Sequence, residues 1–272
     1  MENRIQVVNS SYDIRDYTIK SETEFPDEYQ LPYKVNVKNQ GSKPTCVAHA
    51  IASLIEYHNL VETNSYRKFS TEFVYGTRDI GYYIGDGMCI RDALKTIYKY
   101  GDCYYTDCPG NSNVQTAMNK INNNVDNYRE LAYPHRIGSY YKVKTENEIK
   151  TALTHHGPVV ISMNCFEKAK IVNDTYTYDK SAKSTGRHCV LIVGWNKTGW
   201  IIQNSWGITY ATDGYFTLPY DVKLNESWGT IDQNDDYSLL KIKSRSNFMD
   251  KIYSIFNKII NFFLSRRKSK YT

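Results

Sequence analysis

Cysteine is scarce in this chain, six in 272 residues, and the nearest pair, Cys103 and Cys108, has four residues between its members. That excludes a disulfide-scaffold protein and a zinc site built from paired CxxC motifs. Glycine (15) and proline (7) are too few for a collagen-like or low-complexity chain. An excess of one charge is also lacking. Lys+Arg 34 against Asp+Glu 29 leaves +5, and Arg266, Arg267, Lys268 and Lys270 at the end carry much of it. A nearly balanced body argues against nucleic-acid binding, which needs a basic face to track phosphates. The N-terminus has no apolar stretch behind its basic residue, so a secretory signal peptide is not expected; vacuole, virion and cytosol stay open as locations. What is present is material for a core: 41% hydrophobic residues and 14% aromatics, carried mostly by 25 tyrosines. The length fits one large domain or two coupled lobes.

The first 35 or so residues are polar and marked by Pro26 and Pro32, which reads as an extended arm with a short strand. From Thr45 to His58 the apolar residues Val47, Ala50, Ile51, Leu54 and Ile55 recur at helical spacing without Gly or Pro, predicting a buried helix that starts at Cys46. A second helix runs from Asp92 to Tyr100 and is closed by Gly101. Gly85 to Met88 reads as a flexible turn, and the Asn-rich stretch 111–127 as a surface helix plus loop. Beyond it the pattern turns to strands at Pro158 to Met163, His188 to Trp195, Gly199 to Asn204 and Gly214 to Leu218. Helices first and strands second predict an α+β protein of two unlike lobes with a cleft between them.

Four residues could meet in that cleft. A thiol at a helix start sees the partial positive charge of free backbone N–H groups, which favours the nucleophilic thiolate at Cys46. Gln40, six residues upstream in a polar turn, could place an amide donor beside it. His188, 142 positions after Cys46, opens an apolar strand; Asn204, 16 further on, ends the next strand, so a hairpin would bring the two together. An imidazole that takes the thiol proton, an amide that holds the ring's tautomer and Trp206 as a shield from water make chemical sense as a set.

The blocks Asn39-Gln-Gly-Ser42 with Cys46, Gly186-Arg-His-Cys-Val-Leu-Ile-Val-Gly-Trp195, and Gln203-Asn-Ser-Trp-Gly207 followed by Asp213-Gly-Tyr-Phe216 resemble the signature segments of papain-like (peptidase family C1, cathepsin-like) cysteine proteases. The Cys-to-His spacing also agrees with that family. The likeness covers about Asp13 to Tyr220. It includes Tyr12-Asp-Ile-Arg-Asp-Tyr17 and His156-Gly-Pro-Val-Val-Ile161, which are similar to segments of members with short pro-regions. The resemblance implies a papain-like two-lobe α+β fold, helical left lobe and antiparallel β-barrel-like right lobe, with the active site in the cleft. It divides the chain into an N-terminal arm or short pro-segment at 1–35, a peptidase domain at 36–240 (lobes at about 36–130 and 131–240), and an appendage at 248–272. It implies a cysteine endopeptidase acting on polypeptides bound extended in the cleft. Cys46 would be the nucleophile, His188 the acid/base, Asn204 its orienter, and Gln40 with the Cys46 N–H the oxyanion hole. Gly85, Asp86 and Gly87 would pair with substrate backbone, Cys189 would line a substrate pocket and Trp206 would border the site. No metal, cofactor or nucleic acid is implied.

The departures are informative. The family usually has a cysteine before the nucleophile and a Trp after it, whereas this chain reads Lys43-Pro-Thr-Cys46-Val47, so the disulfide of that first cysteine cannot form. His49 stands where an aromatic is usual and reads as a satisfied core histidine. His155-His156 resembles the histidine pair of an exopeptidase loop, but its place before Gly157-Pro158 reads as an ordinary loop. The arm is expected near or in the cleft, restraining activity. Phe248 to Leu264 has apolar residues on one face and predicts an amphipathic helix, shorter than the about 20 residues that span a membrane; membrane-surface association and docking on a partner or on its own lobes both stay open. A second functional class also stays open: a weak or inactive binding or structural protein on a protease scaffold.

Overall fold

A computed structural model describes residues 6–241 except 12, 14, 15, 79–84, 236 and 237. In chain order the elements are strands β1 (Val7–Val8), β2 (Thr18–Ile19) and β3 (Tyr29–Gln30), helices α1 (Cys46–Thr63) and α2 (Thr71–Gly76), β4 (Met88–Cys89), α3 (Ile90–Lys99), α4 (Val114–Asn122) and α5 (Val125–Ala132). Then follow β5 (Ile137–Lys142), α6 (Glu146–His156), β6 (Val159–Phe166), β7 (Lys170–Val172), β8 (Thr175–Thr177), β9 (Ser184–Asn196), β10 (Gly199–Gln203), β11 (Tyr215–Pro219), β12 (Leu224–Asp232) and β13 (Leu240–Lys241). Helices α1 to α5 make one lobe; the large sheet and α6 make the other.

Helix α1 lies at the centre. Every residue from Cys46 to Asn59 is buried, because one side meets α2 and α3 and the other lies on β9. Its buried polar side chains find partners: His49 Nδ1 with the Thr45 carbonyl at 2.9 Å, His58 Nε2 with Thr230 Oγ1 at 2.8 Å, and the Glu56 carboxylate with Lys38 Nζ. Glu56 also accepts from the Phe69 N–H (2.9 Å) and the Tyr66 hydroxyl (3.2 Å). Burial pushes the Glu56 carboxyl up, and the Lys38 ammonium opposes that. The loop carrying Lys38 is thus tied to α1.

In the sheet lobe the strands run β13-β2-β5-β12-β6-β9-β10-β11-β8-β7, with β3 also on β9. The central antiparallel pair β6 and β9 holds His188 opposite Met163 and Cys189 opposite Ser162. Both strands are buried over most of their length since α1 and α6 cover them, so they read as continuous apolar runs instead of alternating ones. Strand β5 does alternate, burying Ile137, Ser139 and Tyr141.

The arm differs from its sequence-based reading, holding three short strands instead of one. Thr18 pairs with Lys142, and Tyr29 pairs with Trp195 while stacking on its ring at 4.8 Å. Segment 111–127 also differs: it holds all of α4 and, after a short link, the first three residues of α5. The expected loop at His155-His156 is corrected to the last turn of α6. Thr145 and Glu148 cap that helix reciprocally, a capping box that the sequence contained. His155 Nε2 meets Glu22 at 2.8 Å. Gly101 closes α3 as expected. Its φ of +81 and the 2.0 Å between an added Cβ and the Ala132 carbonyl oxygen leave room for no other residue. Among the described residues no helix is long and apolar enough to cross a membrane. The helix expected over 248–264, with its membrane or partner docking, lies outside the described residues.

Candidate active site

Cys46 is the first residue of α1. The cap residue Thr45 makes no capping hydrogen bond, and the first turn holds no acid. The N–H groups there are therefore not neutralised by a carboxylate, and those of Cys46 and Val47 face the Cys46 sulfur together with those of Cys189 and Gln6. The helix start alone argues for a lowered thiol pKa. Burial overrides it: Cys46 is 0% exposed, which pushes its thiol up while the four N–H groups pull it back.

His188 enters from β9. Its Nε2 donates to Asn204 Oδ1 at 2.7 Å, and this tautomer leaves a lone pair on Nδ1, which has no hydrogen-bond partner among the described residues. Trp206 stacks on the ring at 4.5 Å and 22°, and Tyr210 meets Trp206 edge-on at 4.8 Å. Asn204 Oδ1 is held from the far side by the Ser205 N–H at 2.8 Å. His188 is 1% exposed, and burial holds its imidazole at about 4, with the Asn204 bond opposing.

Gln40 is clamped between the two lobes. Its N–H donates to the Ser205 carbonyl at 2.9 Å, Ser205 Oγ donates to its Oε1 at 2.7 Å, and its Nε2 donates to the Lys43 carbonyl at 2.9 Å. Asn111 Nδ2 reaches the Gln40 carbonyl at 3.1 Å, and Gly207 N–H bonds the Lys38 carbonyl at 2.9 Å. The Gln203-to-Gly207 segment thus positions both Asn204 and Gln40, one forward and one backward. The parts of Ser205 and Asn111 in holding Gln40 were not read from the sequence, although Ser205 lies in the Gln203-to-Gly207 block, since each acts over at least 71 positions.

The structure brings Gln40, Cys46, His188, Asn204 and Trp206 to one place. Gly85 and Asp86 are exposed on a turn, their carbonyls held by Arg78 and Tyr75. Gly87 is buried beneath the Gln6 carbonyl. Cys189 is wholly buried at 0% beside Cys46, and burial raises its thiol well above its ordinary value. All six cysteines are free thiols. Residue Gln6, from the arm, had not been expected by residue number; it reaches the site from 40 positions before Cys46, by tertiary contact alone.

Comparison with known proteins bears on this arrangement. Residues 27–237 match the family described as "Papain family cysteine protease". An "Uncharacterized peptidase C1-like protein L477" of Acanthamoeba polyphaga mimivirus is 27% identical over 226 residues, 72% of this chain and 68% of that protein. "Probable cysteine protease RDL2" of Arabidopsis thaliana is 26% identical over 240 residues, 82% of this chain and 62% of that protein. The chain thus spans about two thirds of the length of these relatives. Among solved structures, xylellain, a cysteine protease from Xylella fastidiosa, superposes with a TM-score of 0.73 at 24% identity, covering 85% of this chain and 97% of that one. At that identity the likeness speaks to the fold.

Proposed function

This chain belongs to the papain family of cysteine proteases, and from that premise we propose that it is a cysteine endopeptidase working through Cys46, His188, Asn204 and Gln40. The observation that carries the reading is the His188 Nε2 to Asn204 Oδ1 bond of 2.7 Å, which leaves the lone pair on Nδ1 free to take a proton. Nδ1 takes the thiol proton, and the sulfur attacks the scissile carbonyl carbon. The oxygen that becomes negative is met by the Cys46 N–H and by Gln40 Nε2, whose other proton goes to Lys43. The imidazolium gives its proton to the departing amine, leaving a thioester on Cys46. Water, deprotonated by the same Nδ1, attacks the thioester and returns the free thiol and an acid product. Asn204 keeps the ring in the tautomer both steps need, and the Trp206 face excludes water from that bond. Gly85, Asp86 and Gly87 offer backbone to an extended polypeptide, while Cys189 backs the site from inside.

A second reading, a papain-fold protein of little or no turnover, is favoured by one observation: both Cys46 and His188 are closed to solvent. The two are separated by labelling with an epoxysuccinyl inhibitor, located by mass spectrometry and followed over pH 4 to 8, beside Cys46→Ala and with hydrolysis of a fluorogenic peptide library. Adduct on Cys46 alone, with Cys46-dependent cleavage inside peptides, upholds the endopeptidase. Folded protein that neither labels nor cleaves after its arm is displaced refutes it.

A further inference from the structure

Cys103 and Cys108 take no part in the site described above, yet the helical lobe is folded to bring them together. After Cys103 the chain makes a single turn, closed by the Asp107 and Cys108 N–H groups on the Tyr104 carbonyl at 3.1 and 3.2 Å. Ser70, the cap residue of α2, holds both ends of that turn. Its N–H donates to the Cys103 carbonyl at 3.0 Å and its hydroxyl to the Cys108 carbonyl at 2.6 Å. The two side chains share a small apolar cluster with Phe73, Ile121 and Ala132, and their thiols hydrogen-bond each other. A thiol pair already in contact, with both backbones anchored on one residue, becomes a disulfide by side-chain rotation and needs no rebuilding of the chain.

The two thiols are not equivalent. Cys108 receives the hydrogen bond of Cys103, which with the Ser70 hydroxyl and the Lys120 ammonium pulls its thiol down to about 7 against burial. The Tyr128 hydroxyl also bonds Cys108. Cys103 is pushed up by its hydrogen bond to Cys108 and by burial, and the carboxylates of Asp102 and Asp107 add to this. Cys108 is therefore the thiolate of the pair, and Cys103 keeps its proton. Both are 0% exposed, but Thr106, Asp107 and Pro109 are exposed, so one short turn separates the sulfurs from water.

We infer that Cys103 and Cys108 form a thiol–disulfide site, oxidised by small disulfides of the glutathione type, whose bridge staples the helical lobe. When the turn opens, the Cys108 thiolate attacks one sulfur of the oxidant, breaks its S–S bond and expels one thiolate, which takes a proton from water. The Cys103 sulfur then attacks the Cys108 sulfur of the mixed disulfide, and its proton leaves with the second departing thiol. The two cysteines lose two electrons, and the oxidant gains them as two thiols. The staple closes the turn from which the chain runs on to Gly110, whose carbonyl accepts from Thr71 Oγ1 at 3.3 Å, and to Asn111, which reaches Gln40 and Thr45. The proposal stands apart from the peptidase reading, since no step of it uses Cys46 or His188.

The test treats the folded full-length chain with glutathione disulfide, alkylates the thiols that remain and maps the products by mass spectrometry, beside Cys46→Ala so that no readout depends on the active site. A Cys103–Cys108 bridge should form in both chains, raise the melting temperature by about 4–9 °C and be undone by dithiothreitol, with the melting temperature returning. Cys103→Ser, checked for folding by circular dichroism, should stop at the mixed disulfide with one glutathione on Cys108. In Cys108→Ser the remaining Cys103 should take up glutathione at least about tenfold more slowly. No bridge while a reference dithiol peptide oxidises in the same tube overturns the proposal, as does a bridge that leaves the melting temperature unchanged or lowers it. Uptake at Cys103 as fast as at Cys108 overturns the order of attack.

Discussion

Removal of the Glu56 charge is the most searching test of how the site is held. Glu56 is 0% exposed, and its carboxylate meets Lys38 Nζ, the Phe69 N–H and the Tyr66 hydroxyl. Glu56→Gln keeps the shape but leaves the Lys38 ammonium, at 9% exposure, without its counter-charge. Breaking one side of a buried pair costs about 3–5 kcal/mol, whereas replacing both sides by apolar residues is often near neutral. In a chain of this size each kcal/mol moves the melting temperature by about 2–4 °C. Calorimetry should therefore record a fall of about 6–20 °C for Glu56→Gln and much of it restored in Lys38→Met with Glu56→Leu. A functional effect should accompany it. Lys38 bonds Gly207 through its carbonyl and lies two residues before Gln40, so kcat should drop more than KM rises in whatever fraction stays folded. A fall below about 3 °C, or a double variant as unstable as the sum of the singles, would refute the claim that this pair ties the Gln40 loop to α1.

Asn204→Ala removes the 2.7 Å bond to His188; a hydrogen bond to a charged ring is worth about 1.5–3 kcal/mol, so kcat should fall about 10- to 150-fold with the acid limb of its pH profile displaced, and an unchanged profile would remove its orienting role. His49 and His188 are held at about 3 and about 4, both below the ordinary 6.5. The unfolded chain takes up those protons first, so stability is full above pH 6.5 and declines as pH falls toward 4 and 3. Urea titrations across that window should find His49→Leu less acid-sensitive than the parent, by up to about 1.4 kcal/mol per pH unit; parallel curves would contradict it. Gly101→Ala, forced to φ +81 and into the Ala132 carbonyl, should destabilise by about 2–4 kcal/mol in the same titrations, more than Gly41→Ala, which at φ +62 meets nothing within 4 Å and should cost only the backbone strain of about 1–2 kcal/mol.

Much of the fold and the candidate site could be read from residue order. Helix α1 was legible because its apolar residues keep the helical period without a break, and strands β6, β9, β10 and β11 because β-branched and aromatic runs sit between glycines. The short helix α2 has too few turns to build a period, and strand β12, Leu224–Asp232, mixes Asn, Glu, Ser and Trp, since one part of it grips Ser10 while another pairs with β5 and β6. Cys46, His188, Asn204 and Gln40 were legible as residue types at a spacing that a helix start and a hairpin would bring together.

The amino-acid sequence by itself therefore determined the family and the make-up of the candidate site, because the proposed nucleophile, base, orienter and amide donor lie in local blocks whose chemistry is carried by a few adjacent residues. Tertiary structure alone decided its state. The Gln6 N–H at the sulfur and the Ser10 to Glu226 grip span 40 and 216 positions, and no local pattern encodes them. Burial in the assembled fold raises the Cys46 thiol, against what the helix start alone would favour, and lowers the His188 imidazole, because desolvation depends on everything packed around a group and not on its neighbours in the chain.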